Sequence, residues 1–481
     1  MQRNNLKIAF ISLQEDAEKV PPLGLVYLAT YLKEKAGIEH ENVRIFDRTS
    51  SNMNESIKIF TPDIIGFTSM TIDYGKVIKF AKELKQDQNA PFIIGGVHIS
   101  SLPESFSPIF DLGVLGEGEE TLKELVLLYA KKRKFLIQDL KGIKGLIFPI
   151  DKQELFLTPR REPIENIDDI PIPDFKLLDK IYFQKMENLS TANVGRRLHL
   201  ISSRGCPYKC LFCSTSHFWG KIRFHSAEYT ARMIRKAIDE LGVNSVGFLD
   251  DLFAVSHGRL SLLKNAFKNY GLFEHIQSID CTQRTDLMND RICEALNELK
   301  ITALNFGFES GSDKVLKEIK CHTTSVDINK NAILLSKKHG IGVFGSLMYG
   351  VPNETIEDMK KTNDFIDFAI EHRAKYIWSF IATPFPATPF WKIALQRGKV
   401  KNKMDWNLLS IHNVENPLLL DEDIDRREFK KVFFEGRKKL RKMKIGLVKE
   451  FILKNPIDTL NLITKSPGYY FNRVIKKVFK Q

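Results

Sequence analysis

The sequence lacks any apolar run long enough to span a bilayer. Of its 481 residues, 43% are hydrophobic and 27% are charged, as in folded globular proteins, and no stretch of about 18 apolar residues occurs. The short apolar segment Leu6–Leu13 looks like the core of a signal peptide but leads at once into the acidic segment 14–18. We interpret it as a first β-strand of a cytoplasmic protein of about three domains.

Cysteine is scarce, which argues against a disulfide framework. The chain holds six cysteines, and three of them, Cys206, Cys210 and Cys213, lie within eight residues. Clustered thiols in a chain without a secretory signal indicate metal binding. We expect Cys281 and Cys293 to be small core residues, and too few thiols remain for a second cluster.

Acidic residues are scarce at only one end of the chain. The formal net charge is +13, and residues 426–481 carry 17 Lys and Arg against 4 Asp and Glu, while the first 425 residues carry 55 of each. Bulky apolar side chains are interleaved with the basic ones at helical spacing. The pattern is typical of a helical cap docked by its apolar face or of a helix at an anionic membrane surface. No RNA-recognition motif is present, so nucleic acid is not expected.

Residues 1–150 alternate short apolar strands with helical segments. We predict strands at Leu6–Leu13, Val43–Phe46, Ile64–Thr68 and Phe92–Ile94, and helices at Leu23–Lys35, 74–86 and 119–132. This order favours a parallel sheet covered on both faces, in which ligands bind at the carboxyl ends of the strands. Four prolines between 158 and 175 predict an extended linker within 151–195.

The most specific pattern is a Cys-x3-Cys-x2-Cys motif, Cys206–Cys213, directly after a predicted strand at His199–Ser203. Three closely spaced thiolates can hold a [4Fe–4S] cluster and leave one iron open to a substrate or cofactor. A zinc site with His217 as fourth ligand is the alternative. Zinc ligands, however, usually come from two separated short motifs.

This spacing resembles the signature of the radical SAM superfamily. Later segments, beginning at 246, 281, 306, 348 and 382, resemble the strand ends of the family's barrel in the same order. The resemblance implies a partial (β/α)6 TIM-type barrel over 196–400. It also implies reductive cleavage of S-adenosyl-L-methionine (SAM) at a [4Fe–4S] cluster, which gives a 5′-deoxyadenosyl radical.

Four residues near these strand ends have chemistry that suits SAM. Phe212 can offer an apolar face to the adenine, and Asp250 is best placed for the amino group, although the sequence does not choose between Asp250 and Asp251. Arg284 can pair with the carboxylate, because a guanidinium fork matches it. Glu309 can accept hydrogen bonds from the ribose hydroxyls.

The N-terminal region resembles the cobalamin-binding domain of one radical SAM subclass. The resemblance lies in the residue types, order and spacing of three segments, Pro21–Ala29, Gly95–His98 and Gly116–Glu119. It implies a Rossmann-like domain over 1–150 that binds cobalamin through Ser12, Gly24, Thr68, Ser69, Gly95, Gly96, His98, Gly116 and Glu117. The Asp-x-His-x-x-Gly motif that supplies an axial histidine in other cobalamin proteins is absent. We therefore expect His98 to be a loop residue and not a cobalt ligand.

Together these resemblances imply a cobalamin-dependent radical SAM enzyme that methylates an unactivated carbon. One alternative is a radical SAM enzyme without bound cobalamin that performs cyclisation, rearrangement or C–C coupling, and another is a non-enzymatic metal- or RNA-binding protein. We expect a small-molecule or lipid-linked substrate and an electron donor such as flavodoxin or ferredoxin. The basic helical C-terminal region is 401–481, within which 426–481 would contact a membrane peripherally.

Overall fold

The chain forms two compact units in a computed structural model that describes residues 5–14, 20–151, 154–183, 185–188, 193–421 and 423–454. The first unit comprises residues 1–182, 199–233 and 383–413, and the second comprises 183–198, 234–382 and 414–481. Each unit is therefore assembled from segments that are distant in sequence.

Strands and helices alternate through most of the described chain. The strands are β1 (Ile8–Ser12), β2 (Val43–Phe46), β3 (Ile64–Thr68), β4 (Phe92–Gly95), β5 (Leu112–Val114), β6 (Leu146–Pro149), β7 (Leu155–Leu157), β8 (Lys185–Asn188), β9 (Asn193–Leu200), β10 (Ser203–Arg204), β11 (Arg223–Phe224), β12 (Ser245–Phe248), β13 (Ser278–Gln283), β14 (Ile301–Glu309), β15 (Gly342–Tyr349) and β16 (Tyr376–Ile381).

The α-helices cover the faces and connections of these strands. They are α1 (Leu23–Ala36), α2 (Met53–Phe60), α3 (Tyr74–Leu84), α4 (Val97–Ser101), α5 (Glu119–Lys132), α6 (Ile137–Leu140), α7 (Thr215–Trp219), α8 (Ala227–Leu241), α9 (His257–Asn269), α10 (Asp290–Glu298), α11 (Asp313–Ile319), α12 (Val326–Lys338), α13 (Ile356–Glu371), α14 (Pro389–Gln396) and α15 (Arg426–Lys454).

The sheet of the first unit has the strand order β2-β1-β3-β4-β5-β6-β7. The first five strands of that order pair in parallel, and β6 and β7 continue the sheet antiparallel. Every residue of β1 is buried, as expected for a strand whose two faces are both covered. Leu25 and Leu32 of α1 share one core cluster with Leu122 and Leu125 of α5.

The second sheet has the order β16-β15-β14-β13-β12-β9-β8, in which β12 to β16 pair in parallel. Four of the helices that follow these strands, α9, α10, α12 and α13, begin with side-chain caps, which satisfy backbone N–H groups at their first turns. The capping residues are Ser256, Asn289, Ser325 and Thr355. The predicted fold class, a parallel N-terminal sheet followed by a half-barrel of β/α units, is confirmed.

The basic helix α15 packs on α13 and β16 in the second unit. Its buried face consists of Phe429, Val432, Phe433, Leu440 and Met443. Close approach at Gly436 makes this packing possible, because an added Cβ would lie 2.5 Å from Asn363 Oδ1. The first part of α15 therefore docks as a helical cap.

In the described part of the chain, no helix is both long and apolar enough to cross a bilayer. The predicted membrane contact was placed on 426–481, of which residues 455–481 lie outside the described residues.

Candidate functional site

The residues predicted to bind cobalamin lie at one edge of the first sheet. Ser12 ends β1, Thr68 ends β3 and Gly95 ends β4, and these three parallel strands are neighbours. Carboxyl ends of parallel strands meet at one edge, which is where such sheets bind ligands. The loops that follow them also touch, since the Ser69 N–H donates to the Gly95 carbonyl at 3.2 Å.

Three glycines at this edge differ in what surrounds them. At Gly96, which has φ of 98°, an added Cβ would lie 2.8 Å from Thr68 Oγ1 and from the Ser69 backbone, so close loop packing alone requires glycine there. At Gly24 and at Gly116, a Cβ would meet no heavy atom within 4 Å. The backbone is therefore open at both positions, and at Gly116 the φ of 78° by itself favours glycine.

His98 is fully buried and both of its ring nitrogens are engaged. Nε2 lies 2.9 Å from the Ser105 hydroxyl, and Nδ1 lies 3.1 Å from the Thr71 hydroxyl. The Ser105 hydroxyl donates to the Leu102 carbonyl at 2.7 Å, so it accepts from a protonated Nε2, which leaves Nδ1 as acceptor. Burial lowers the pKa of His98 to about 3.

Aromatic rings close around His98 within the first unit. The Tyr74 ring lies 4.0 Å from the imidazole and the Trp406 ring 4.6 Å from it, both measured between centroids. A neutral imidazole packed in this way has no nitrogen lone pair directed to a cofactor. This arrangement supports the expectation that His98 is not a cobalt ligand. The expectation that it is a loop residue is wrong, because His98 lies in α4.

The three clustered cysteines occupy one loop of the first unit, between the paired strands β10 and β11. Cys206, Cys210 and Cys213 are half-buried, and none forms a disulfide. The Cys213 N–H donates to the Cys210 carbonyl at 3.1 Å, which closes a tight turn between them. Three accessible thiols in one turn are a donor set that suits an iron–sulfur cluster.

The thiols are not already gathered as a finished site. Across the described residues, no three His, Cys, Asp or Glu side chains are arranged to hold a metal ion. The half-buried Phe212 lies beside the last cysteine, with its ring 6.4 Å from that of Phe390.

A network of four buried charged residues fixes the base of this loop. Arg204 donates to Glu119 at 2.5 Å and lies 3.2 Å from Glu117, while Arg223 donates to Glu117 at 2.6 and 3.1 Å. Burial alone would raise the pKa of Glu117, but the hydrogen bond from Arg223 and the charge of Arg204 outweigh it and hold the pKa below its ordinary value. We call these four residues the ion-pair network.

In the second unit, the residues predicted to bind SAM also share one sheet edge. Asp250 follows β12, Arg284 follows β13 and Glu309 ends β14, and these strands are parallel neighbours. Asp250 is buried whereas Asp251 is exposed, so the two adjacent carboxylates, which the sequence could not distinguish, differ in environment. Asp250 and Asp251 both have partners in the structure.

Glu309 is held in a strained conformation next to a buried lysine. Its φ is 63°, in the left-handed region that non-glycine residues rarely adopt, and the pairing register of β14 with β15 shifts there. Lys320 Nζ lies 3.6 Å from its carboxylate and donates to the Gly307 carbonyl at 2.5 Å. Burial raises the pKa of Glu309, and the charges of Lys320 and Arg284 offset this only in part.

Reasoning from sequence missed several charged residues that the fold places around these sites. They are Glu119, Arg204, Arg223 and Lys320. Arg204 had a usable signal, because an arginine directly before the Gly-Cys of the motif interrupts an otherwise uncharged strand end. Lys320 follows α11 and carries no comparable signal, since its partner is eleven residues away.

Comparison with known proteins identifies the two parts of the chain. The sequence profile of the Radical SAM superfamily matches residues 200–366, and that of the B12 binding domain matches residues 13–126. The chain is thus a radical SAM enzyme with a B12-binding domain.

Individual relatives extend the match to most of the chain. The "uncharacterized methyltransferase PH0819" of Pyrococcus horikoshii is 34% identical over 80% of this chain and 81% of that protein. The anaerobic magnesium-protoporphyrin IX monomethyl ester cyclase of Rubrivivax gelatinosus is 27% identical over 72% of this chain and 62% of that protein.

A solved structure shows the same fold. The radical SAM methyltransferase TsrM from Kitasatospora setae, with cobalamin and a [4Fe–4S] cluster bound, has a TM-score of 0.64 at 16% identity and covers 83% of this chain and 76% of that chain. The chain belongs to the cobalamin-dependent radical SAM methyltransferase family. Its cofactors are a [4Fe–4S] cluster, SAM and cobalamin, as predicted.

Proposed function

We propose that this chain transfers a methyl group to an unactivated carbon of a small-molecule substrate. The proposal depends on the match of one chain to both the B12-binding and the radical SAM profiles. In addition, the relative from Pyrococcus horikoshii, which is 34% identical over about four fifths of both proteins, is named a methyltransferase. Cobalamin would occupy the domain at 1–150 and SAM the barrel at 196–400.

When bound, the cluster and SAM supply a carbon-centred radical that removes hydrogen, and cobalamin supplies the methyl group. The protein residues bind and position these groups. Cys206, Cys210 and Cys213 would hold three irons, and Phe212 would cover the adenine. Buried carboxylates at the strand ends of the second unit, Asp250 and Glu309, would accept from the amino and ribose groups of SAM, and Arg284 would pair with its carboxylate.

The test is anaerobic reconstitution with iron, sulfide and hydroxocobalamin, followed by reaction, in the presence of a chemical reductant, with SAM that carries a deuterated methyl group. We expect 5′-deoxyadenosine and S-adenosylhomocysteine to form together when a metabolite fraction supplies the substrate. The product should carry the deuterated methyl group. Formation of 5′-deoxyadenosine without any labelled product would contradict methyl transfer.

A second candidate function is radical cyclisation. It is favoured by the relative from Rubrivivax gelatinosus, which is named a cyclase. The same labelled assay separates the two, because a cyclase would release a product of altered mass that contains no deuterium.

We propose separately that residues 426–481 contact a membrane peripherally and that the substrate is lipid-linked. In its support, the solvent face of α15 carries exposed Lys431, Arg437, Lys438, Arg441 and Lys442 opposite the docked face. Each basic residue near an anionic surface contributes about 1 kcal/mol. The test is sedimentation with anionic and neutral liposomes, using the full chain and a chain that ends at Lys454, which keeps the docked helix.

We expect binding that needs anionic lipid and weakens as salt is added. Equal and negligible binding to both kinds of liposome would contradict membrane contact. Flavodoxin or ferredoxin as the electron donor is tested by replacing a chemical reductant with either protein in the SAM-cleavage assay.

A further inference from the structure

The Gly116–Glu119 turn lies against the loop that carries the three cysteines, and both belong to the first compact unit. Resemblance of this turn to a cobalamin-binding motif assigns Glu117 to the cofactor. The structure instead commits the Glu117 carboxylate to other partners. One oxygen accepts from Arg223 and lies 3.2 Å from Arg204, and the other accepts from Arg223 and from the Ile164 N–H at 2.8 Å.

The neighbouring acid in the motif has an equally definite partner. Glu119 is the first residue of α5, and its carboxylate accepts from Arg204 at 2.5 Å. The exposed fractions of the Arg204 and Glu119 side chains are 4% and 5%. Two carboxylates therefore balance two guanidinium groups in a buried network, which is needed because an unpaired buried charge is costly.

The two arginines occupy one cross-strand pair. Arg204 of β10 is directly opposite Arg223 of β11 in an antiparallel ladder. Like charges at directly opposed positions repel one another, so the carboxylates are what allows this pair to form. The segment that the pair closes, 205–222, contains all three cysteines.

Further contacts of Arg204 tie the same loop down. Its guanidinium lies 5.5 Å from the ring centre of Tyr27 in α1 and 5.3 Å from that of Trp219 in α7. The next residue, Gly205, has φ of 96°, and a Cβ there would lie 2.9 Å from the Lys221 carbonyl. The loop entrance therefore has little freedom as long as Arg204 stays paired.

We propose that Glu117 and Glu119 are positioning residues for the cysteine loop: they act through Arg204 and Arg223 to hold the thiols where the cluster binds, and they do not contact cobalamin. The inference deepens the proposed function, because it assumes that the cluster binds at Cys206, Cys210 and Cys213. Partners that support ligand residues typically change metal affinity or activity by 10- to 100-fold.

The test compares Glu119→Gln and Glu117→Gln with Glu124→Gln. Glu124 lies five residues beyond Glu119 in α5 and pairs with Arg161 at a partly exposed site, so it controls for loss of an ion pair as such. Arg223→Lys is a milder variant that keeps the charge and should fold if the glutamine variants do not.

The first measurement uses cluster-free protein and follows alkylation of each cysteine by mass spectrometry. In Glu119→Gln and Glu117→Gln, we expect Cys206, Cys210 and Cys213 to react faster than in the unmodified protein, whereas Glu124→Gln should leave their rates unchanged. The exposed Cys321, in the second unit, should react at an unchanged rate and reports on general unfolding. Arg223→Lys should change the rates in the same direction by a smaller factor.

The second measurement uses reconstituted protein. In Glu119→Gln and Glu117→Gln, we expect iron to be lost faster to a chelator. The electron paramagnetic resonance signal of the reduced cluster should also be altered when SAM is added. The cobalamin content of both variants should equal that of the unmodified protein. Unchanged alkylation rates and unchanged iron loss in both glutamine variants would overturn the inference. Loss of cobalamin from Glu117→Gln with normal cluster properties would also overturn it and return Glu117 to the cofactor site.

The two readouts keep the inference separate from the proposed function. An unmodified protein that binds no iron and does not cleave SAM would contradict the proposed function. The alkylation rates of the cluster-free chain would still decide whether the ion-pair network orders the loop.

Discussion

The buried imidazole of His98 should make the first unit sensitive to acid. Its pKa in the folded protein is lowered by burial to about 3, against about 6.5 in an unfolded chain. The folded state therefore binds the proton more weakly, so the stability contributed by neutral His98 is fully present above pH 6.5 and is lost as the pH falls toward 3. Between pH 7.5 and pH 5.0, the linkage amounts to about 2 kcal/mol of unfolding free energy.

A His98→Gln variant should remove this dependence. The amide can still bond to the hydroxyls of Thr71 and Ser105 but cannot titrate. Lost ring packing against Tyr74 and Trp406 should cost roughly 1–3 kcal/mol at pH 7.5. We expect the difference from the unmodified protein to shrink by about 2 kcal/mol on going to pH 5.0.

The assay is urea unfolding of cobalamin-free protein, followed by tryptophan fluorescence. Trp378, the one tryptophan of the second unit, is replaced by Phe so that the signal reports the first unit. His217→Gln, at an exposed position of the same unit, is the control and should follow the unmodified protein at every pH. Parallel decline of the His98→Gln and unmodified proteins between pH 7.5 and 5.0 would refute the reasoning.

Three further outcomes follow from other parts of the chain. Cys213→Ala should abolish both the cluster absorbance and SAM cleavage, measured anaerobically, because two thiolates cannot hold the cluster. Glu354 is buried and accepts from the Gly350 N–H at 2.6 Å, and burial raises its pKa to about 8. The folded state therefore binds this proton more tightly than the unfolded chain does, so the free energy of unfolding should fall by about 3 kcal/mol as the pH rises from 4.5 to 7. In urea titrations, Glu354→Gln should remove that fall. Gly436→Ala should destabilise the docked α15 by about 1–3 kcal/mol through overpacking, whereas Gly446→Ala, where a Cβ meets nothing within 4 Å, should not.

The elements that periodicity could predict are those with a long apolar pattern. The predicted strands and helices of residues 1–150 agree with β1 to β4, α1, α3 and α5 to within a few residues. The three-residue strands β5 and β7 were not predicted, because a pattern that short has no period to detect. They are held by pairing with neighbouring strands, which is information that a local pattern does not contain.

The same limit explains what could be predicted of the candidate sites. The cysteine spacing and the strand-end residues are local signals, and they led to the correct family. Nothing in the sequence indicates that residues 199–233 group with the N-terminal sheet in one compact unit. The pairing of Arg204 with Glu119 joins residues 85 positions apart, and a motif that covers only nearby positions contains no information about such a partner.

Glu309 has two unfavourable features, a left-handed backbone conformation and a buried carboxyl group, which together indicate a functional role. A non-glycine residue in the left-handed region costs about 1–3 kcal/mol, and a buried carboxyl whose pKa is raised is a further cost at neutral pH. A glycine at this position would relieve the strain, and an apolar residue would relieve the burial of charge. The protein instead places Lys320 beside the carboxylate and leaves Gly307 without a side chain, since a Cβ there would lie 2.2 Å from Glu309 Oε1. Neighbours arranged around a costly group indicate that the group itself is needed, and its location at a strand end beside Arg284 is where SAM is expected to bind.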